Sequence, residues 1–163
     1  MKKVIEDHAP LADEVKNLLP KIDFSDTFST TNHIDTIQNI TNLIFNSPPK
    51  WVVALFKFRN SIVMLFGLKT GKPDDHTDVF AEGGYVSFFK IYSVKEKEIV
   101  LGANDSHLNF RAIVKNDGSE QFNIKVITLV EYNNLFGKIY MTLIKPFHRL
   151  IVKRLVRKSY RFD

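Results

Sequence analysis

The sequence predicts an α+β domain in which a curved antiparallel sheet is closed by one long C-terminal helix, with two helices inserted after the first strand. Three observations carry that reading. Residues 134–161 space their apolar side chains at helical intervals, residues 85–132 alternate like strands between turn residues, and the two helical phrases before them are separated by a Pro-Pro pair. A meander with one apolar face needs a cover, and the terminal helix is next in the chain.

Taken in order, residues 1–21 hold Pro10 and Pro20 around a short helical phrase, Leu11 to Leu19, and read as an arm leading into a single domain at 22–163. Asp23 to Thr30 sets Phe24, Asp26 and Phe28 against Ser25, Thr27 and Ser29, the period of a strand with one wet face. From Asp35 the period changes. Ile37, Ile40, Leu43 and Ile44 follow the N-cap candidates Thr31, Asn32 and Asp35, and Ser47-Pro48-Pro49 ends the helix because residues before proline avoid αR geometry. A second helix is predicted from Lys50 to Leu68, apolar around most of its circumference. Lys69 to Glu82 is the longest loop signal.

Four strands follow, at Tyr85–Val94, Ile99–Ala103, Leu108–Lys115 and Gln121–Tyr132. A two-residue Asp105-Ser106 turn would pair Ala103 with Leu108, Leu101 with Phe110 and Ile99 with Ala112. A three-residue Asn116-Asp117-Gly118 turn, with Gly118 left-handed, would pair Ala112 with Phe122, Phe110 with Ile124 and Leu108 with Val126. Both choices put apolar residues on one inner face and His107, Asn109, Arg111, Gln121, Asn123 and Lys125 on a wet outer face. The last helix would lay Phe136, Tyr140, Leu143, Phe147, Leu150 and Ile151 on that inner face over roughly 40 Å. Pro146 removes one N–H from it and frees the carbonyl of Thr142, which predicts a kink.

Composition narrows the function. Fourteen Phe fit a Phe-rich core or a wide, incompletely filled one. The absence of Cys removes disulfides, thiolate nucleophiles and zinc-thiolate sites, and suits a cytoplasmic protein. No secretory leader or spanning segment is expected. The net charge of +5 is local: residues 134–161 hold eight of the 23 Lys and Arg and no carboxylate, leaving 15 cations against 18 carboxylates elsewhere. Those cations complement the helix dipole or, alternatively, meet an anionic surface; nucleic acid is not expected as a partner.

Pro48-Pro49-Lys50-Trp51-Val52 with Leu55, Arg59 and Asn60, then Leu101-Gly102 with Asp105, His107, Leu108, Asn109, Phe110 and Arg111, then Asn134, Gly137-Lys138-Ile139-Tyr140 and Pro146-Phe147-His148-Arg149-Leu150-Ile151-Val152 are the most distinctive phrases. With the order of elements, they resemble an uncharacterised bacterial family within the START-like, Bet v 1-like (SRPBCC) superfamily, whose members share a helix-grip fold. That family is a domain of unknown function sometimes fused to NAD-binding sugar-epimerase-like domains. Its members more often carry Asp at the positions of Asn60 and Asn109.

The resemblance implies a cavity between sheet and helix for a small hydrophobic or amphipathic molecule, and an oxidoreductase as a partner domain. The expected lining is Phe88 or Phe89, Leu101, Phe110, Phe122, Ile124, Tyr140 and Phe147, with polar contacts from His107, Asn109 and Arg111 if those face inward. Arg111 would offer a planar fork to a carboxylate. Asp74-Asp75-His76-Thr77-Asp78 reads as a solvated loop, and no metal or other cofactor is expected. No nucleophile elbow, close carboxylate pair or phosphate loop supports an enzyme. The alternative function is an accessory domain acting beside an oxidoreductase, or at an anionic membrane through its basic helix.

Overall fold

A computed structural model describes residues 2–161 except 47, 49, 51, 52, 55, 56, 58, 59, 62, 63 and 65–73. Seven strands form one antiparallel sheet: β1 (Val4–Glu6), β2 (Phe24–Thr30), β3 (Tyr85–Val86), β4 (Phe89–Lys95), β5 (Glu98–Asn104), β6 (Leu108–Asn116) and β7 (Ile124–Tyr132). Their order across the sheet is β1-β2-β7-β6-β5-β4-β3. The helices described over their whole length are α1 (Asp13–Lys16), α2 (Ile37–Phe45) and α3 (Leu135–Val156), the last followed by a 3₁₀ turn at Arg157–Ser159. The α+β class, the open antiparallel sheet and the long C-terminal helix are as the sequence predicts. Most of the second inserted helix, expected from Lys50 to Leu68, and the first part of the loop after it lie outside the described residues.

One sheet face carries Phe28, Ile91, Ile99, Leu101, Ala112, Val114, Ile124 and Val126, buried with Ile37, Ile40 and Ile44 of α2 and Leu155 and Val156 of α3. Each fully buried Ile or Leu there contributes about 1.5–3 kcal/mol relative to exposure. α2 is capped by Thr36, whose hydroxyl accepts from the Asn39 N–H at 3.3 Å, not by Thr31, Asn32 or Asp35. Asn32 instead closes the preceding turn, its Oδ1 accepting from the N–H groups of Ile34 and Asp35. α2 ends at Phe45, just before Ser47-Pro48.

The strand registers differ from the predicted ones by even numbers. Phe110 pairs with Val130, not Ile124, and Ala103 pairs with Phe110, not Leu108. Because side chains alternate with period two, an even slip keeps the residues within the paired strands on their expected faces. The β6–β7 connection is longer than a three-residue turn. Gly118 does take a left-handed φ of 77°, but Phe122 also sits at φ 54°, outside β7, and Asn123 leads into the strand.

The outer face is not the wet surface that the alternation predicts. Val100, Ile113, Ile127 and Leu129 form a second core there, covered by Val15 and Leu19 and flanked by Leu11, Leu18 and Ile22. The first 22 residues therefore contribute the edge strand β1 and the cover of one whole face. The β7 sequence explains why this was hidden: Ile127 and Leu129 alternate with Val126 and Val130, so the strand is apolar on both sides.

α3 turns only part of the predicted flank inward: Phe136, Tyr140 and Ile151 are half-buried against the sheet side, but Leu143, Phe147 and Leu150 face outward. Gly137, Met141, Leu155 and Val156 are buried, whereas Leu135, Ile139, Leu143, Phe147 and Leu150 are 50–70% exposed. Its N-terminus is capped by Asn134, which accepts from the Gly137 N–H at 3.0 Å. The chain stays helical through Pro146.

Candidate functional site

The inner face is interrupted by a polar row. On one side lies the α2–α3 core; on the other, Leu108, Val130 and Met141 gather Phe24, Phe110, Tyr132 and Tyr140. Between them stand Asp26 of β2 and its cross-strand partner Thr128 of β7, both beneath α3. The strand register dictates this position: Asp26 lies two residues from Phe24 and from Phe28, so its side chain shares their face.

α3 answers Asp26 with His148. The imidazole Nε2 lies 3.2 Å from Asp26 Oδ2 and 3.5 Å from Oδ1, and the Asp26 side chain is only 5% exposed. The hydrogen bond goes to Oδ1; the closer approach to Oδ2 is poorly aligned, and Oδ2 is shielded from water with no hydrogen-bond partner. A buried carboxyl oxygen with an unfilled acceptor costs about 1–3 kcal/mol. Phe24 meets the His148 ring edge-on at 5.8 Å, and Lys145 Nζ lies 5.0 Å over the Phe24 ring. Arg149 pairs with Glu6 of β1. The middle of α3, around Pro146, is thus fastened to the β1–β2 edge by polar contacts, while its ends are fastened by apolar ones. A surface recess of about 210 Å³ beside that edge has Glu6, Asp7, Ser25, Asp26 and Thr27 among its walls.

The residues expected to line a cavity are dispersed. Leu101 and Ile124 are fully buried in the core, and Phe110 and Tyr140 are half-buried around Met141. Of the neighbouring pair, Phe89 points inward, edge-on to Phe45 at 5.3 Å and Phe110 at 5.6 Å, and Phe88 is 57% exposed. Phe122 stands in the β6–β7 loop and Phe147 on the outward side of α3.

His107, Asn109 and Arg111 do not share a face. His107 belongs to the β5–β6 connection and is buried beneath the first turns of α3, 5.5 Å from Phe136 and 5.2 Å from Tyr140 between ring centroids. The connection is longer than the predicted turn, which moves His107 out of strand alternation. Asn109 and Arg111 stay on the outer face. Asn109 donates to Glu131 at 3.0 Å and exchanges hydrogen bonds with Asn133. Arg111 Nη1 donates to Asn104 Oδ1 and to the Phe110 carbonyl, both at 2.8 Å, and the guanidinium lies 3.9 Å over the Tyr92 ring. Burial lowers its pKa below the ordinary arginine value. Gly102 makes room for it, since a Cβ there would lie 3.0 Å from Arg111 Cδ and 2.3 Å from the Phe110 carbonyl oxygen.

Among the described residues no group of three or more His, Cys, Asp or Glu side chains could hold a metal ion, and no helix is long and apolar enough to cross a membrane. Sequence reasoning passed over Asp26 and His148. The available signals were an acidic residue on the Phe face of the first predicted strand, and a histidine seven residues from Met141, which two helical turns bring onto the same flank.

No curated protein and no solved structure matches the chain. Residues 18–155 match the model of the family described as a protein of unknown function, DUF2867, and the chain belongs to that family.

Proposed function

We propose that this chain is a small-molecule binding domain of the helix-grip, START-like kind. Its ligand is amphipathic: apolar over most of its length, with a hydroxyl or amino group donating to Asp26. The observation that carries the reading is the buried Oδ2 of Asp26, an unfilled acceptor between two apolar clusters under the long helix. A carboxyl is expensive to keep in such a place without a full set of partners, and buried polar groups that break an otherwise apolar face concentrate at binding sites. His148 Nε2 sits within ion-pair distance of the same carboxyl and orients it, while Oδ2 still lacks a well-aligned hydrogen bond that a ligand donor would supply. The recess at the β1–β2 edge, which has Asp26 among its walls, supplies a way in.

The test is organic extraction of the purified chain with mass spectrometry of the extract, followed by titration of any recovered amphiphile while amide shifts are followed by NMR. Shifts centred on residues 24–28 and 126–130 are expected, with binding weakened at least tenfold in Asp26→Ala. A chain that carries no amphiphile, and whose Asp26→Ala variant is more stable and binds nothing less well, would overturn the reading.

A further inference from the structure

The geometry points to a second surface: we infer that the outward flank of α3 docks the protein on an anionic lipid membrane. Leu135, Ile139, Leu143, Phe147 and Leu150 follow one another at intervals of four, four, four and three residues. That spacing lines them up along a single face of the helix. They are 70, 50, 67, 52 and 58% exposed, so the row is a continuous apolar strip and not a scatter of single residues. The sheet cannot use it, because Gly137 and Met141 occupy the opposite flank against the strands.

Charge selects the occupant. Residues 134–161 carry eight cations and no carboxylate. Lys138, Lys153, Arg154 and Arg157 are exposed and make no ion pair among the described residues. Lys138 lies about 60° around the helix from Leu135, while Lys153 and Arg154 continue the strip at its C-terminal end. An apolar strip edged by cations is the pattern of a helix that lies in the plane of a membrane interface, with the side chains in the headgroup boundary and the cations on anionic lipid. A second copy of this chain would bring the same all-cationic flank, and like charge opposes that pairing. The inference is independent of the ligand reading, since the strip faces away from Asp26.

The experiment is flotation of the full chain with vesicles of phosphatidylcholine alone and of phosphatidylcholine mixed with phosphatidylserine, at low and at high salt. Retention is expected on the anionic vesicles, falling with salt. Leu143→Glu with Phe147→Glu should abolish it, and Lys153→Gln with Arg154→Gln should weaken it about tenfold or more on anionic vesicles only. All four positions are exposed, and unchanged thermal melting would confirm that the variants fold. No retention on anionic vesicles at low salt would overturn the inference. So would retention indifferent to the strip variants, or light scattering that shows a dimer which those variants split.

Discussion

Gly137 shows how one missing carbon decides a contact. A Cβ built there would lie 1.9 Å from the His107 carbonyl oxygen, so the first turn of α3 rests directly on the β5–β6 connection. Helix propensity alone favours Ala over Gly by about 1 kcal/mol. The clash outweighs it, because the partner is backbone; Gly137→Ala is expected to lose about 2 kcal/mol net, read from urea unfolding midpoints at constant slope. Asp7 gives the pH dependence. The hydrogen bond from Lys125 at 2.7 Å holds its carboxyl below the ordinary 3.8, helped by the Ala9 N–H. Since the folded value is the lower one, this stability is full above the unfolded value and is lost as pH falls through the folded one. Asp7→Asn should therefore be less stable than wild type at pH 6, and the difference should shrink as pH falls below the ordinary carboxylate range, read from urea unfolding across pH.

Among the elements, faces were legible and registers were not. Alternation alone put Leu101, Phe110, Ala112 and Val126 on one side, and they are there. The slip of β7 against β6 comes from residues far apart in sequence. Asn123 accepts from the Asn32 N–H and donates to its carbonyl, both at 2.9 Å, and Phe122 N–H reaches Thr31 Oγ1 at 2.9 Å. Those bonds span 91 positions and fix the loop length that local turn rules misjudge. α3 presents the same difficulty in another form, for it has two adjacent apolar flanks and its sequence does not say which is inward. Leu143→Gln is expected to change stability by no more than about 0.5 kcal/mol, whereas Met141→Ala should cost about 2–5 kcal/mol. Chemical denaturation of the two variants separates the two assignments of the inward flank.

For the molecule as a whole, the sheet has two covered faces, and only one was legible. The C-terminal helix announced itself by length and period. The arm did not, because its short α1 and the loops around it carry no long pattern, and only the placement of Val15 and Leu19 over Val100, Ile113, Ile127 and Leu129 reveals its use. A chain lacking residues 1–22 exposes that second core. It should melt at least about 5 °C lower by circular dichroism, or aggregate on expression. The candidate site was hidden for a related reason, since Asp26 and His148 stand 122 positions apart.

The pairing of β2 with β7 has a kinetic side. Phe24 and Val130 are partners across the sheet, so the strand made almost first must wait for the strand made almost last. The covers are likewise split, one near the start of the chain and one at its end. Such distant pairings bring little reward until a long loop has closed, which places folding in the millisecond-to-second class of sheet proteins, not with fast helical bundles. Until β7 and α3 are in place Phe28 lacks its partner Val126 and the cover of Leu155 and Val156, so the chain is most prone to self-association in that interval.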